Sequence, residues 1–225
     1  MIRIVLFDID GTLLHTGGAG IKAFGKAFES EFGAHDGTEW LKFAGRTDVS
    51  LVREFFTHHK VACSPENFTR FFNAYLLHLK QTLAEAVGGA IPGVPEYYQA
   101  VLAAPQPPLV GLLTGNIKRG AEAKLGHYGW WDKFSFGGFA DDSEQRDEIA
   151  AAALQRGREI LGQPVAGSET LVIGDTPLDI RCGRAIGAKV LAVATGGATF
   201  DDLAAHRPDY LVKNLADANV AETLS

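Results

Sequence analysis

Ile2-Arg3-Ile4-Val5-Leu6-Phe7-Asp8-Ile9-Asp10-Gly11-Thr12-Leu13-Leu14 opens the chain and decides how the rest of it is read. The run Ile2–Phe7 is short, β-branched and rich in large apolar groups, which predicts a buried strand. It ends in two carboxylates and turns on a glycine. Both acids then stand at the carboxyl edge of the strand, where open α/β sheets bind ligands. Residues two apart on a regular strand share a face, but Gly11 suggests that the strand is already breaking, so Asp8 and Asp10 need not play identical parts. Alone, such a pair is equally a solvated turn; the other strand ends decide the matter.

Further apolar runs occur at Leu109–Leu113, Phe134–Phe139, Leu171–Ile173, Lys189–Ala194 and Tyr210–Val212. Helix-like segments alternate with them at Gly93–Ala103, Lys118–Tyr128, Arg146–Leu161, Pro177–Ile186 and Thr199–Ala205. This alternation predicts an α/β fold, a Rossmann-like, mostly parallel sheet flanked by helices. Between Leu14 and about Ala90 the pattern shows no convincing strand. Ile21, Phe24, Phe28 and Phe32, and then Phe68, Phe71, Phe72, Tyr75 and Leu79, recur at helical spacing instead. Gly17-Gly18-Ala19-Gly20 leads into this interval and Gly88-Gly89-Ala90-Ile91-Pro92-Gly93 leads out. The expected organisation is a core of residues 1–16 and 91–225 with an inserted helical cap domain at 17–90, hinged at its glycine-rich ends. The Gly17–Gly20 cluster lacks the Lys-Ser/Thr ending and the Gly-x-Gly-x-x-Gly pattern of a phosphate loop.

The 225 residues suffice for one large domain, or a domain with an insert, and 46% hydrophobic with 21% charged residues marks a globular chain. The net charge of −6 argues against nonspecific nucleic-acid binding, and any anionic substrate must be drawn in locally by a metal or a few cations. The first apolar stretch, interrupted by Arg3 and Asp8, is neither a signal peptide nor a membrane span. Cys63 and Cys182 form no disulfide or zinc pattern and are expected to be buried free thiols. The expectation is a cytoplasmic monomer or homodimer acting on a small molecule.

Two more strand ends carry chemistry. One runs into Thr114-Gly115-Asn116 and a helix, where a hydroxyl, a glycine amide and a helix N-terminus could receive an anion or simply form a strand-to-helix turn. The other runs into Gly174-Asp175-Thr176-Pro177-Leu178-Asp179, with Pro177 at a first helical position and Asp179 in the first turn. Helix capping explains one acid but not four converging on one edge. Asp8, Asp10, Asp175 and Asp179 would strongly raise each other's pKa unless a cation lay among them, and an all-oxygen set without histidine or cysteine suits magnesium. A carboxylate can attack phosphorus to give an aspartyl-phosphate, and a second acid can protonate the leaving oxygen and later activate water.

Asp8-Ile9-Asp10-Gly11-Thr12-Leu13, Thr114-Gly115-Asn116 and Gly174-Asp175-x-x-x-Asp179 together resemble three motifs of the haloacid dehalogenase superfamily, over essentially the whole chain. The insert resembles the small helical cap of its phosphoglycolate-phosphatase-like and β-phosphoglucomutase-like members. The resemblance implies Asp8 as nucleophile, Asp10 as general acid/base and, through its backbone carbonyl, a magnesium ligand. It implies Thr114, with Gly115 and Asn116 beside it, as the phosphoryl site, Asp175 as a magnesium ligand, and Asp179 as a ligand directly, through water, or by holding the basic residue. The family places a lysine after the third strand, where this chain has none between Phe136 and Glu148; Arg146 is the best-placed cation. Lys118, Arg119 and Lys133 are weaker substitutes. In the cap, Arg46 of Gly45-Arg46-Thr47-Asp48 could meet a carboxylate or second phosphate, or equally be an exposed arginine on a helix-capping turn, while His15, His58 and His59 are read as structural or solvent-exposed. The expected activity is a magnesium-dependent phosphatase for a small phosphorylated metabolite. The alternatives are a phosphomutase, a 2-haloacid dehalogenase, against which the acid pair at 175 and 179 argues, and a non-catalytic binding protein.

Overall fold

The computed structural model describes residues 1–225. The elements begin with β1 (Ile4–Phe7), β2 (Leu14–His15), α1 (Ala19–Phe32), α2 (Asp48–His58), α3 (Pro65–Glu85) and β3 (Gly89–Ala90). They continue with α4 (Val94–Leu102), β4 (Leu109–Leu113), α5 (Lys118–His127), β5 (Gly137–Gly138), α6 (Arg146–Leu161) and β6 (Thr170–Gly174). α7 (Pro177–Ala185), β7 (Lys189–Val193), α8 (Phe200–Ala205), β8 (Tyr210–Val212) and α9 (Val220–Thr223) complete the chain. Six strands form one parallel sheet in the order β5-β4-β1-β6-β7-β8, so β1 lies between the two strands that lead into the other acidic and hydroxyl-bearing loops. No helix is long and apolar enough to cross a membrane.

The alternation of β1 explains its central place. Val5 and Phe7 pack with Tyr97, Val101, Ala121 and Leu125 on one face; Ile4 and Leu6 pack with Ile149, Ala153 and Leu154 on the other. A strand covered on both faces must be apolar throughout, and all four residues of β1 are fully buried. Truncating Phe7 to alanine would cost about 3–5 kcal/mol through lost contacts and a cavity.

Helices α1, α2 and α3 bury a second core, joined by Ile117 and Ala140 of the sheet-bearing part, in which Phe24, Phe28, Phe55, Phe71 and Tyr75 pack ring against ring. Ser64 caps α3 by accepting from the Asn67 amide, with Pro65 following it. α2 was not distinct in the apolar pattern. Its start is fixed by Thr47, whose hydroxyl accepts from the Ser50 amide.

Four details differ from the expectations. The interval's two ends do pair: β2 and β3 form a short antiparallel ribbon, Leu14 opposite Ala90 and His15 opposite Gly89, which joins the two glycine-rich segments side by side. Two-residue strands carry no readable periodicity. The third strand shrinks from Phe134–Phe139 to β5. Phe134 and Phe139 turn into one core cluster and Phe136 into the other, so only the two glycines run along β4. Ile21 is exposed rather than part of the α1 stripe, and Cys63 is exposed in the loop between α2 and α3, while Cys182 is buried.

Candidate active site

The carboxyl ends of β1, β4 and β6 meet beneath the helical insert and line a cavity of about 530 Å³. Asp8, Asp10, Thr114, Gly115, Asn116, Arg146, Asp175 and Arg46 all border it. The parallel register places Phe7 beside Leu112 and Ile173, so the residues following each strand arrive at one level.

Asp8, Asp175 and Asp179 bring carboxylate oxygens within 4.8 Å of one another, all buried. Burial is the main cause that raises the Asp8 carboxyl well above its ordinary value; Arg146 opposes it, and Asp179, Asp175 and Asp10 add to it. Asp175 is pushed from 3.8 up to about 7, first by burial and then by Asp179. Hydrogen bonds to Asp175 from the Gly197 amide (2.6 Å) and the Thr12 hydroxyl (3.1 Å) act the other way and fix the carboxylate. Three buried carboxylates that crowd each other, with only oxygen donors, fit a hard divalent cation such as magnesium. The close approach of Gly11 and Gly196 to Asp175 makes the backbone part of this cradle, since a Cβ at either would overlap its carboxylate.

Asp179 is held from three sides. Pro177 sets the first turn of α7, and the Asp179 carboxylate accepts from the Thr176 amide (3.0 Å) and hydroxyl (2.6 Å), while the Asp179 amide donates to the Thr176 carbonyl. Arg146, first residue of α6, donates to its other oxygen and stands 3.7 Å from Asp8. Burial alone would lower the pKa of Arg146; Asp179 and then Asp8 more than compensate and raise it, so the guanidinium stays charged. Among the substitutes considered, Arg146 is the cation beside Asp8, while Lys118, Arg119 and Lys133 lie outside this constellation.

Asp10 stands apart from the three-acid cluster. Its Oδ2 accepts from Asn116 Nδ2 (2.8 Å) and from Lys124 Nζ (2.6 Å). Lys124 was not singled out in the sequence, although a lysine within α5 at a position framed by the buried Ala121 and Leu125 breaks the amphipathic pattern and was a readable signal. Thr114 is fully buried, and its hydroxyl oxygen accepts from the amide and the side-chain Nδ2 of Asn116.

The helix terminus after Asn116 is not an open anion site. The Ile117 amide donates to Asp48 Oδ2 at 2.8 Å, and the Lys118 amide donates to Asp141. Asp48 opens α2, so a carboxylate of the helical segment seats on the start of α5. The Asp48 amide also donates to Gly115 O (2.7 Å), and the Thr47 hydroxyl to Glu144 O (3.0 Å). Burial pushes Asp48 from 3.8 up to about 7, against the pull of Lys124 and the Ile117 amide. Arg46 borders the cavity, but its guanidinium is bound to Glu54 and to Ser50 O, so its charge is already answered within the insert. His15 is exposed on β2; His58 and His59 lie beside Asp36, away from the acids.

Comparison with known proteins is consistent with this arrangement. The family model described as haloacid dehalogenase-like hydrolase matches residues 5–193. The chain is 25% identical over 195 residues to the bifunctional riboflavin kinase/FMN phosphatase of Arabidopsis thaliana, covering 84% of this chain and 48% of that protein. It thus spans about half the length of that relative. It is 25% identical over 221 residues to the "Probable phosphatase IndB" of Dickeya dadantii (strain 3937), covering 96% of this chain and 92% of that one. In fold it resembles CbbY from Rhodobacter sphaeroides, crystallised in complex with phosphate, with a TM-score of 0.74 and 19% identity over 96% of both chains. A "predicted phosphoglycolate phosphatase" from Haemophilus somnus 129PT gives a TM-score of 0.73 and 17% identity, again over 96% of both.

Proposed function

Because the chain belongs to the haloacid dehalogenase-like hydrolase family, we propose that it is a phosphatase that moves the phosphoryl group of a small phosphate ester onto Asp8 and then onto water. The observation that carries this reading is the setting of Asp8: a buried carboxylate at the end of β1, 3.7 Å from Arg146 and bordering one cavity with Thr114 and Asp10. The activities named for the Arabidopsis and Dickeya relatives support it.

In the first step an Asp8 oxygen forms a bond to phosphorus as the ester P–O bond breaks. Asp10 gives a proton to the departing alkoxide. In the second, Asp10 takes a proton from water, whose oxygen attacks phosphorus, and the bond from Asp8 to phosphorus breaks to release inorganic phosphate. Arg146 and the Thr114 hydroxyl, with Gly115 and Asn116 beside them, hold the phosphoryl oxygens where charge develops. Asp8, Asp175 and Asp179, with the Asp10 carbonyl, would hold magnesium, which when bound neutralises phosphoryl charge. Residues 17–90 act as a cap that covers the leaving group and excludes water. A cavity of about 530 Å³ suits a small metabolite rather than a polymer.

The test is a screen of phosphate esters with magnesium, repeated with Asp8→Asn. Wild type should release phosphate, and the variant should release none while magnesium still raises its melting temperature. Phosphate release by Asp8→Asn at the wild-type rate would refute the assignment.

A further inference from the structure

We propose that Lys124 is the positioning residue of Asp10, anchoring one carboxylate oxygen so that the other faces the ester oxygen of the substrate; the assignment rests on Asp10 as the proton carrier of the phosphatase reading. Asp10 follows β1 on a turn, and its side chain is 42% exposed, a state in which a carboxylate rotates freely unless it is held. Lys124 Nζ (2.6 Å) and Asn116 Nδ2 (2.8 Å) converge on the same oxygen, Oδ2, and Oδ1 accepts no hydrogen bond from the protein. Lys124 also donates to Asn116 Oδ1 (2.6 Å), which fixes the orientation of that amide, and Asn116 Nδ2 reaches Thr114 Oγ1 (2.8 Å). The acid, the lysine and the phosphoryl-binding loop thus form one closed network.

Lys124 is 5% exposed, and a buried ammonium is costly unless paired. It sits on core helix α5, yet its head is roofed by the insert. A Cβ on Gly20 of α1 would lie 3.3 Å from Nζ and 4.0 Å from the hydroxyl of Tyr75 on α3. Tyr75 is itself buried and its hydroxyl has no hydrogen-bond partner in the protein. An exposed lysine–carboxylate pair is weak and mobile; excluding water from the ammonium end makes this one firm. Asp10 is therefore aimed when the insert is seated on the core. As the bond from Asp8 to phosphorus forms and the ester bond breaks, the proton leaves Oδ1 of Asp10 for the alkoxide. The resulting carboxylate stays anchored through Oδ2, ready to take a proton from water.

The experiment compares leaving groups. An alkyl phosphate departs as an alkoxide and needs the proton, whereas p-nitrophenyl phosphate departs as a stable phenolate and hardly does. Lys124→Met, shown to be folded by circular dichroism, should lose at least about 30-fold in the single-turnover rate with an alkyl phosphate, within the range of general acid catalysis. Its burst of p-nitrophenolate should slow by less than about threefold, with the substrate concentration that half-saturates the burst nearly unchanged. Equal losses on both esters, or an effect on the half-saturating concentration alone, would overturn the proposal. Should Lys124→Met not fold, Gly20→Ala makes the same comparison by pressing on Nζ from the insert, and a leaving-group-independent result overturns it likewise. A wild-type protein that hydrolyses no ester, or an active Asp8→Asn, refutes the phosphatase reading instead.

Discussion

Nη2 of Arg146 stands 3.7 Å from Oδ1 of Asp8 while it donates to Asp179, so one buried cation serves both the acid at the end of β1 and the acid in the first turn of α7. Removing it leaves two buried carboxylates facing each other. Arg146→Met should lower kcat by about 10²–10³-fold, the cost of losing one donor to developing charge. It should also destabilise the fold by about 3–5 kcal/mol, the usual cost of breaking a buried pair. Arg146→Lys keeps the charge but not the fork, and should recover stability more fully than kcat. Steady-state kinetics with urea unfolding of all three proteins checks both parts, and a stable, fully active Arg146→Met would remove Arg146 from the site.

Asp48 links stability to pH. Its carboxyl sits near 7 in the folded protein and near 3.8 when unfolded, because burial disfavours the charged form. The unfolded chain therefore releases this proton first as pH rises. The contribution is fully present below about pH 4, declines through about pH 7, and is absent above it. Asp48→Asn cannot ionise and still accepts from the Ile117 amide. At pH 8 without metal the variant should be more stable than wild type by up to about 4 kcal/mol, with the difference vanishing near pH 4. Thermal unfolding at both pH values measures this, and a variant equally destabilised at both would contradict it.

Magnesium binding should carry its own pH signature. Asp175 must ionise to coordinate, and its pKa lies near 7. Affinity should weaken by about tenfold or more for each pH unit well below 7, as protons on Asp175 and on Asp8, whose pKa is also raised, compete with the metal. At a hundred times its dissociation constant, magnesium should stabilise wild type by about 2.7 kcal/mol and Asp175→Asn far less, and chelator should reverse the gain. Melting curves against magnesium concentration at pH 6, 7 and 8 give the result; a pH-independent affinity would argue that Asp175 is no ligand.

The acid-bearing edge was legible because strand ends are marked by chemistry as well as hydropathy. Asp8, Thr114 and Asp175 each follow an apolar run that became β1, β4 or β6, and the parallel register then brings them together. Arg146 was readable by position, being the one basic residue between Gly137 and the body of α6. Lys124, Asp48 and the pairing of β2 with β3 were not read, because each depends on a partner more than 60 residues away in the sequence. Arg46 is a different case, since its partner lies only eight residues away. Its place in a glycine-turn segment was visible, but its partner Glu54 becomes a neighbour only through the turn into α2. Cys63 followed a different error, since the burial typical of free thiols says nothing about a short interhelical loop.

Gly115, in the loop after β4, lies against the Arg46–Asp48 segment. Its carbonyl accepts from the Asp48 amide at 2.7 Å, and a Cβ built on it would overlap the carbonyl of Arg46 and crowd Thr47. Both obstacles are backbone, so no side chain can rotate away to make room. Gly115→Ala should therefore push the Gly45–Asp48 segment off the core while leaving the sheet and its acids in place. The expected consequences are a kcat/KM at least about tenfold lower, since misplacement by roughly 1 Å can cost about 10²-fold, and faster proteolysis between residues 33 and 47. Magnesium-dependent stabilisation should be retained, because Asp8 and Asp175 directly follow β1 and β6 and Asp179 lies in α7, away from the displaced segment. Kinetics, limited proteolysis and melting curves on one preparation separate these effects. Wild-type kcat/KM with unchanged proteolysis would show that the insert accommodates the methyl group without leaving its seat.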